Sequence, residues 1–328
     1  ESFVLRPMNC PHHMMIYANK RHSYKDLPIR IGEIAHDFRY ESSGTLKGIE
    51  RGRHFCQNDA HLFVTPEQIK DEVTKVVHLI FDTYKDFGIT NYRCVLSLRD
   101  PANKEKYHDD DEMWNTAEGA LRDIMNSLGL EYTEEIGEAA FYGPKLDVNV
   151  QPAVGNEITL STCQLDFCLP AKFNLYYIDK DGEKKTPVVL HRAILGSLDR
   201  FMAYILEETK GNLPTWLAPV QTRVMPVKTD DEALNAYAKE VYDTLMENDI
   251  RVELDDRAEK LGYRMRDGQI QKVPYLLVIG MNEKDNKTVT FRLHGEQETT
   301  TLPLDEFVEN LKKEINEKAR THMNHTEA

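Results

Sequence analysis

The sequence contains few cysteines and lacks any long apolar run. Five cysteines occur in 328 residues, and none forms a Cys-x-x-Cys pair. This odd number without paired spacing argues against a disulfide framework and predicts a reducing compartment, by default the cytoplasm. The longest apolar stretches, such as residues 275–281, are far too short to cross a bilayer, and the chain does not open with a basic segment followed by an apolar one. Neither a membrane protein nor a secreted one is indicated.

An excess of positive charge is also missing. The 41 Lys and Arg residues are outnumbered by 55 Asp and Glu residues, which gives a net charge of -14. Proteins that coat DNA non-specifically neutralise its phosphates with surplus basic side chains, so this balance argues against a DNA partner. A local basic patch could still bind a structured RNA. The composition, 41% hydrophobic and 29% charged, is typical of a folded globular protein.

The length predicts two domains. Before the boundary, strand-like segments follow one another without regular helices between them, which predicts an α+β domain over residues 1–213, built on a mainly antiparallel sheet with flanking helices. These segments are residues 91–99, 140–150, 157–169 and 173–178. The turn-forming residues 210–214 mark the boundary. Beyond it strands and helices alternate, which predicts a smaller α/β domain over residues 214–328.

One long helix is legible in the first domain. Thr65 can cap it, Pro66 suits its first turn, Gln68 completes a capping box and Gly88 ends it. Apolar residues recur along one face at Ile69, Val73, Val76, Ile80 and Tyr84. Such a stripe predicts ordinary core rather than a binding surface.

Cysteine and histidine at three distant positions form a candidate metal-ligand set. Cys10, His61 and His191 together offer a thiol and two imidazoles, which suit zinc. Their separations match no local zinc-finger spacing, and each residue alone is more often simply buried. Arg39 and Arg200 suit phosphate oxygens and flat bases, but also a strand salt bridge and a solvated helix face. The residues alone leave both interpretations open.

Seven blocks, taken in order, resemble the threonyl-tRNA synthetases, a family of class II aminoacyl-tRNA synthetases. The blocks are Met8-Asn9-Cys10-Pro11, Arg39-Tyr40-Glu41, Asp59-Ala60-His61, Tyr142-Gly143-Pro144-Lys145, Gln164-Leu165-Asp166-Phe167, His191-Arg192-Ala193 and Pro214-Thr215-Trp216-Leu217-Ala218-Pro219. The resemblance covers nearly the whole chain. It implies a class II catalytic domain followed by an anticodon-binding domain, which form threonyl-adenylate from L-threonine and ATP and transfer the threonyl group to tRNA(Thr).

The resemblance implies one zinc ion per chain, held by Cys10, His61 and His191. This zinc recognises the amino group and hydroxyl of threonine, and Asp59 matches the position that accepts a hydrogen bond from that hydroxyl. A site built for a hydroxyl rejects the isostere without it, here valine, by roughly 10⁴–10⁵, whereas serine lacks only a methyl group worth roughly 1–3 kcal/mol. Further residues match positions that line the threonine and adenylate pocket: Tyr142, Gln164, Gln57 and Lys145, the last two in catalytic roles.

For ATP, the resemblance places Arg39 on the α-phosphate and Glu41 on the adenine amino group. Arg51 matches the position that reaches the γ-phosphate, Phe55 the position that stacks on adenine, and Arg200 the arginine that covers the other adenine face. Arg39 and Arg200 are thereby implied to be catalytic, because fixed guanidinium groups stabilise the charge of an in-line displacement at phosphorus. Magnesium is expected with the ATP.

The second domain resembles the anticodon-binding domain of class IIa synthetases. Four residues match positions that touch anticodon bases or their backbone: Lys260, Arg266, Glu283 and Arg292. Basic side chains suit phosphates and guanine edges, and a carboxylate can accept from a base amino group. Without the resemblance, these four residues are typical of a solvated surface.

The chain departs from the resembled pattern in several places. Residues 52–56 read Gly-Arg-His-Phe-Cys where Val-Arg-Gly-Phe-Thr is usual, which puts the bulkier His54 in the loop over the nucleotide. Thr159 stands where an amide is expected near the nucleotide, and Ala258 where an asparagine often contacts the anticodon. Motif 1, which builds much of the homodimer interface expected of the full-length protein, and the editing domain are expected upstream of Glu1.

Two other functions compete with the ligase. A synthetase-like paralogue with an RNA-binding or regulatory role and no aminoacylation is disfavoured by the intact Arg39, Glu41 and Arg200, and favoured weakly by His54 and Thr159. A zinc hydrolase is disfavoured because no His-Glu-x-x-His sequence supplies a general base. The resemblance therefore implies a threonine–tRNA ligase with threonine, ATP and tRNA(Thr) as partners.

Overall fold

The chain forms two compact units, Glu1–Glu207 and Glu208–Ala328. The computed structural model describes residues 2–322. The division falls just before the turn-forming residues 210–214, where the sequence places the boundary. Within the described residues, every helix is too short or too polar to cross a membrane.

The first unit is built around a seven-stranded sheet. Its seven strands are β1 (Ile29–Phe38), β2 (His54–Val64), β3 (Tyr92–Leu98), β4 (Tyr132–Ile136), β5 (Lys145–Val150), β6 (Ile158–Asp166) and β9 (Val188–Ser197). A separate short hairpin consists of β7 (Tyr177–Ile178) and β8 (Lys184–Lys185). The strand order in the main sheet is β1-β2-β9-β6-β5-β3-β4. Every neighbouring pair runs antiparallel except β3 with β4. The predicted mainly antiparallel sheet is confirmed.

Two predicted strands are shorter than the sequence pattern indicates. The segment 140–150 forms a strand only from Lys145, because residues 140–143 turn through an isolated bridge between Ala140 and Gly143. The segment 173–178 forms only the two-residue strand β7, so the longer prediction is wrong. Phe173 instead caps the C-terminal end of a short helix, α4 (Leu169–Lys172).

The other helices of this unit are α1 (Cys10–Ala18), α2 (Ile69–Phe87), α3 (Asp111–Ser127) and α5 (Leu198–Glu208). The predicted long helix is confirmed as α2. It follows a 3₁₀ turn at Pro66–Gln68, the Gln68 side chain accepts a hydrogen bond from the Thr65 amide, and Gly88 at φ 65° ends it. Helix α3, which the sequence analysis missed, is capped by Asp110 and buries Trp114 completely.

Strand register brings distant sequence positions into one row. His61 on β2 lies opposite His191 on β9, His191 lies opposite Gln164 on β6, and Gln164 lies opposite Lys145 on β5. Directly paired residues share a face of the sheet. One side of the sheet therefore carries a continuous line of polar side chains contributed by four strands.

The second unit is a five-stranded sheet with helices, as the alternating pattern predicts. Its elements are β10 (Thr222–Pro226), α6 (Glu232–Glu247), β11 (Val252–Leu254), α7 (Leu261–Ile270), β12 (Tyr275–Ile279), α8 (Met281–Asn286), β13 (Thr288–Leu293), β14 (Thr300–Pro303) and α9 (Leu304–Asn316). The order is β11-β10-β12-β13-β14, with parallel pairing among the first three strands and antiparallel pairing in the rest. A core between this sheet, α6 and α9 buries Tyr237, Phe291 and Phe307.

Gly143, in the segment before β5, packs directly against the backbone of β6. A Cβ atom built there would lie 1.7 Å from the backbone oxygen of Leu165. We expect Gly143→Ala to lower the free energy of unfolding by about 3 kcal/mol or more, because the backbone must shift in a packed region. Gly119→Ala is the matched control: Gly119 lies in α3 with nothing within 4 Å, so alanine should be neutral or stabilise by about 0.5–1 kcal/mol. Urea unfolding measures both; equal stabilities for the two variants would contradict the close approach.

Candidate active site

The predicted metal ligands meet in the structure. Cys10 begins α1, His61 lies on β2 and His191 on β9. One ligand atom from each lies within 4.8 Å of the others, and all three side chains are buried. The His61 and His191 rings pack edge to face, with centroids 4.6 Å apart. A thiol and two imidazoles at these distances are a donor set that suits a zinc ion with coordination positions left open for a ligand.

A buried carboxylate orients His191. Asp166 is fully buried, and its Oδ2 lies 2.8 Å from His191 Nε2. Its Oδ1 accepts hydrogen bonds from the amides of Cys168 and Leu169, which fix the carboxylate in place. Because Nε2 is engaged with Asp166, Nδ1 is the nitrogen of His191 that is left to bind a metal. Such carboxylate–histidine pairs set the tautomer and orientation of metal-binding imidazoles.

A second chain of contacts orients His61. Its Nδ1 lies 2.7 Å from Nδ1 of His13, and Nε2 of His13 lies 3.3 Å from a carboxylate oxygen of Glu33. If Nε2 of His13 donates to Glu33, Nδ1 of His13 accepts from His61, and Nε2 of His61 keeps its lone pair. Asn9 also contacts His13 Nε2, at 3.1 Å. Each imidazole of the ligand set is thus oriented by a polar partner: His191 by Asp166 and His61 by His13.

The ionisable groups of this cluster have opposed pKa shifts. Burial holds the pKa of His61 well below its usual range, and the neighbouring His191 and His13 act in the same direction. Burial also disfavours the charged form of His191, but hydrogen bonds to Asp166 and Cys10 raise the pKa of His191 to about 9. Burial raises the pKa of Asp59 to about 6, although His191 and a hydrogen bond from Asn9 oppose it. Hydrogen bonding to Asp166 and Cys10 thus favours the protonated form of His191, whereas burial favours the neutral form of His61.

A small cavity of about 100 Å³ opens beside the ligand set. Eight of the predicted site residues line it: Cys10, Arg39, Gln57, Asp59, His61, Tyr142, Gln164 and His191. The Tyr142 ring stacks on His191 at 4.8 Å, and its hydroxyl donates to Gln164. Asp59 is 8% exposed, so its carboxylate meets little solvent and can select a ligand hydroxyl. The cavity joins a metal-ligand set, a buried hydrogen-bond acceptor and a guanidinium group.

A larger cavity of about 560 Å³ is lined by Arg51 and Arg200 with Lys47, Glu50 and Thr159. The Arg200 Nε donates to the backbone oxygen of Glu50 at 3.4 Å. Burial lowers the pKa of Arg200. The positive charges of Arg51 and Arg39 lower it further, while the carboxylates of Glu50 and Glu41 oppose this shift. Guanidinium groups held close enough to repel one another form a ready site for an anionic ligand.

Three of the predicted nucleotide or catalytic residues lie outside both cavity linings. Glu41 is part of the connection between β1 and β2 and accepts a hydrogen bond from the Thr45 hydroxyl at 3.3 Å. The Arg39 guanidinium lies over the Phe55 ring, with its Cζ atom 5.1 Å from the ring centroid. Lys145 forms an ion pair with Asp147 at 2.7 Å. Their assigned roles stay predictions.

In the second unit, the predicted anticodon residues lie on three elements: α7 with its N-terminal end, α8 and β13. Lys260 precedes α7 and Arg266 lies on it, and both are exposed. Glu283 on α8 accepts hydrogen bonds from the Gly280 amide and the Thr290 hydroxyl. Arg292 lies on β13, and within residues 2–322 no hydrogen-bond partner meets its buried Nε. Glu283 is thus already engaged, whereas Arg292 retains an unused donor.

Asp166, His13 and Glu33 are functional residues that sequence reasoning missed. Asp166 stands two positions after Gln164, so strand alternation puts both side chains on the cavity face of β6. His13 stands three positions after Cys10 at the start of α1, one turn along the helix. Those spacings are visible in the sequence, but the partner of each residue comes from another strand and is visible only in the fold.

Family models match both units. The model described as the tRNA synthetase class II core domain (G, H, P, S and T) matches residues 1–209. An anticodon-binding domain model matches residues 221–314. A crystal structure described as the RNA-binding domain of threonyl-tRNA synthetase from Cryptosporidium parvum Iowa II aligns with 37% identity and a TM-score of 0.86, over 94% of this chain and 76% of that one. The chain belongs to the threonyl-tRNA synthetase family.

Sequence relatives agree with that assignment. The chain is 56% identical to a threonine–tRNA ligase of Staphylococcus saprophyticus over 315 residues, which are 96% of this chain and 48% of the relative. It is 54% identical to the enzyme of the same name from Anoxybacillus flavithermus over 96% of this chain and 49% of the relative. The chain therefore spans about half the length of the curated relatives it matches.

If Asp166 orients His191 for a metal, its replacement should weaken zinc binding. We expect Asp166→Asn to lower zinc affinity by about 10–100-fold, the usual cost of losing a partner that orients a metal ligand. Glu118→Gln is the matched control, because Glu118 is also a buried carboxylate that accepts a backbone hydrogen bond, from Arg99, but lies outside the cavity. Competition with a chromophoric chelator measures both affinities. Equal zinc affinity in the two variants would contradict the orienting role.

Proposed function

We propose that the protein forms threonyl-adenylate from L-threonine and ATP and passes the threonyl group to tRNA(Thr). The observation that carries this proposal is the small cavity that joins the metal-ligand set to Asp59, Gln164 and Arg39. Family membership supports the reaction type, and the names of the relatives support threonine as the substrate. The two compact units support a division of labour between catalysis and RNA recognition.

The cavity residues have distinct roles in holding threonine. Cys10, His61 and His191 would hold one zinc ion, which supplies an electron-pair acceptor for the amino group and hydroxyl of the substrate. Asp59 accepts the hydrogen bond of the threonine hydroxyl, and its burial makes that bond costly to leave unmade. Tyr142 and Gln164, hydrogen-bonded to each other, line the same cavity as Asp59, whose volume of about 100 Å³ suits a small substrate side chain.

The arginines serve the phosphoryl chemistry. The threonine carboxylate attacks the α-phosphorus of ATP, and Arg39 in the small cavity stabilises the negative charge that develops there. Arg51 and Arg200 in the larger cavity bind the remainder of the nucleotide. Magnesium accompanies the triphosphate, while Glu41 and Phe55 recognise adenine. Gln57 and Lys145 position the adenylate.

The second unit reads the tRNA. Lys260 and Arg266 are exposed at α7 and suit the phosphate backbone, while Arg292 offers a donor that a base edge can use. Glu283, which Gly280 and Thr290 hold in place, offers an acceptor for a base amino group. A homodimer and a cytoplasmic location remain predictions, the latter supported by five free thiols.

Amino-acid-dependent exchange of pyrophosphate into ATP tests the substrate. Threonine should support exchange; serine should do so about 10–200-fold less efficiently in kcat/KM, because it lacks only the methyl group. Valine should be rejected by roughly 10⁴-fold, because it leaves Asp59 without its hydrogen bond. Exchange driven best by another amino acid would overturn threonine as the substrate. No exchange from folded, zinc-loaded protein, including a form extended upstream of Glu1, would favour the non-catalytic paralogue.

Replacement of Arg200 tests the nucleotide site. We expect Arg200→Ala to lower the rate of threonine-dependent exchange by about 10²-fold or more, because a fixed charge on the nucleotide is lost. Arg122→Ala is the matched control, since Arg122 is a partly exposed arginine on α3 that forms an ion pair with Glu134 away from both cavities. Exchange by the control should equal that of the unmodified protein. Equal rates for both variants would remove Arg200 from the proposed site.

A further inference from the structure

A second histidine and cysteine cluster lies outside the candidate active site. His36 on β1 and His54 on β2 are exposed, and Cys56 on β2 is half-buried. His36 Nδ1 lies 2.9 Å from His54 Nε2 and 3.5 Å from Cys56 Sγ. One ligand atom from each of the three residues lies within 4.8 Å of the other two. These are the same donor types as those of the buried ligand set, but they are open to solvent.

Strand register puts this cluster on the opposite side of the sheet from the cavity. His36 lies opposite Cys56, and Phe38 lies opposite His54, so these side chains share one face. Successive residues of a strand alternate between faces, which sends the intervening Phe55 and Gln57 to the other face. The cluster therefore forms independently of Cys10, His61 and His191.

Aromatic packing holds the two imidazoles in place. The His36 and His54 rings are parallel within 3°, with centroids 5.1 Å apart. The Phe38 ring also stacks on the His54 ring, with centroids 4.7 Å apart. Two exposed imidazoles with fixed ring planes lose less side-chain freedom on binding a metal than mobile ones do.

The distances approach those of a tetrahedral zinc site. Zinc bonds of about 2.0–2.1 Å to nitrogen and about 2.3 Å to sulfur imply separations of about 3.3 Å between two nitrogens and about 3.6 Å between nitrogen and sulfur. The 3.5 Å between His36 and Cys56 already fits. The 2.9 Å between the two imidazoles is a hydrogen bond, which must open by about 0.4 Å to reach zinc geometry. Small rotations of solvent-exposed rings suffice for that.

We propose that His36, His54 and Cys56 form a second metal site, which takes zinc or another soft divalent cation with water in the fourth position. His54 and Cys56 stand where the resembled pattern has Gly and Thr. His36 and His54 also flank residues 39–53, the connection that carries Arg39, and its ends are joined by the hydrogen bond from Arg39 N to Arg53 O. A bound cation would fasten β1 to β2 at the base of that connection.

Metal stoichiometry tests the proposal. The unmodified protein should bind two zinc ions per chain, and the double variant His54→Gly/Cys56→Thr should bind one. Cys94→Ser is the matched control, since it removes a buried thiol on β3 that belongs to neither cluster, and should still bind two. Elemental analysis after equilibration against a weak chelator measures the content. Equal zinc content in the double variant and the unmodified protein overturns the second site.

Cobalt and trypsin provide readouts that do not depend on total content. Cobalt bound to Cys56 should add a thiolate-to-cobalt absorption band, and the double variant should lose about half of the total band intensity, because a thiolate at Cys10 remains.

Zinc should also slow tryptic cleavage after Lys47, Arg51 and Arg53 in the unmodified protein, and not in the double variant. A full band in the double variant, or equal zinc protection in both proteins, contradicts the proposal. Neither readout needs aminoacylation, so the outcome is separate from that of the proposed function.

Discussion

The register between β2, β9 and β6 is the constraint on which the site depends. It sets His61, His191 and Gln164 side by side although they are far apart in the chain. A slip of one residue in any of these pairings would turn a whole set of side chains to the other face. Apolar neighbours such as Leu62, Leu165 and Leu190, each buried, hold the register because a slip would expose them. Burial of ordinary leucines therefore positions the polar chemistry.

Burial disfavours the charged forms of two side chains that line the cavities, Arg200 and Asp59, and a ligand that bonds to them can offset this cost. Arg200 is half-buried, and its burial together with Arg51 and Arg39 lowers its pKa against the opposing charges of Glu50 and Glu41; burial likewise raises the pKa of Asp59. Asp166 by contrast is buried but fully engaged by two amides and His191. Asp166 therefore supports the site from outside the cavity lining, whereas Arg200 and Asp59 line the two cavities.

Part of this arrangement could be predicted from the sequence, and the reason is local. Helix α2 was predicted because its caps and its apolar stripe lie within one continuous segment. Helix α3 was missed although Trp114, Leu121 and Met125 recur at helical spacing, because Gly119 and many polar residues weaken the pattern. The cavity residues were predicted from resemblance to a family, and the structure brings eight of them together. The supporting contacts of Asp166 and His13 required the fold, because each joins strands or helices that are remote in sequence.

Strand β2 shows how one segment can serve two sites without conflict. Gln57, Asp59 and His61 face the cavity, whereas His54 and Cys56 face the opposite side next to His36 on β1. The two faces are separated by the thickness of one strand, so the clusters cannot share a ligand, yet both restrain the same backbone. The hydrogen bond from the Cys56 amide to Asp199 at 2.7 Å further ties this backbone to α5, which carries Arg200. The outer cluster and Arg200 are therefore linked through the backbone of β2 and α5, without any direct contact between the two sets of side chains.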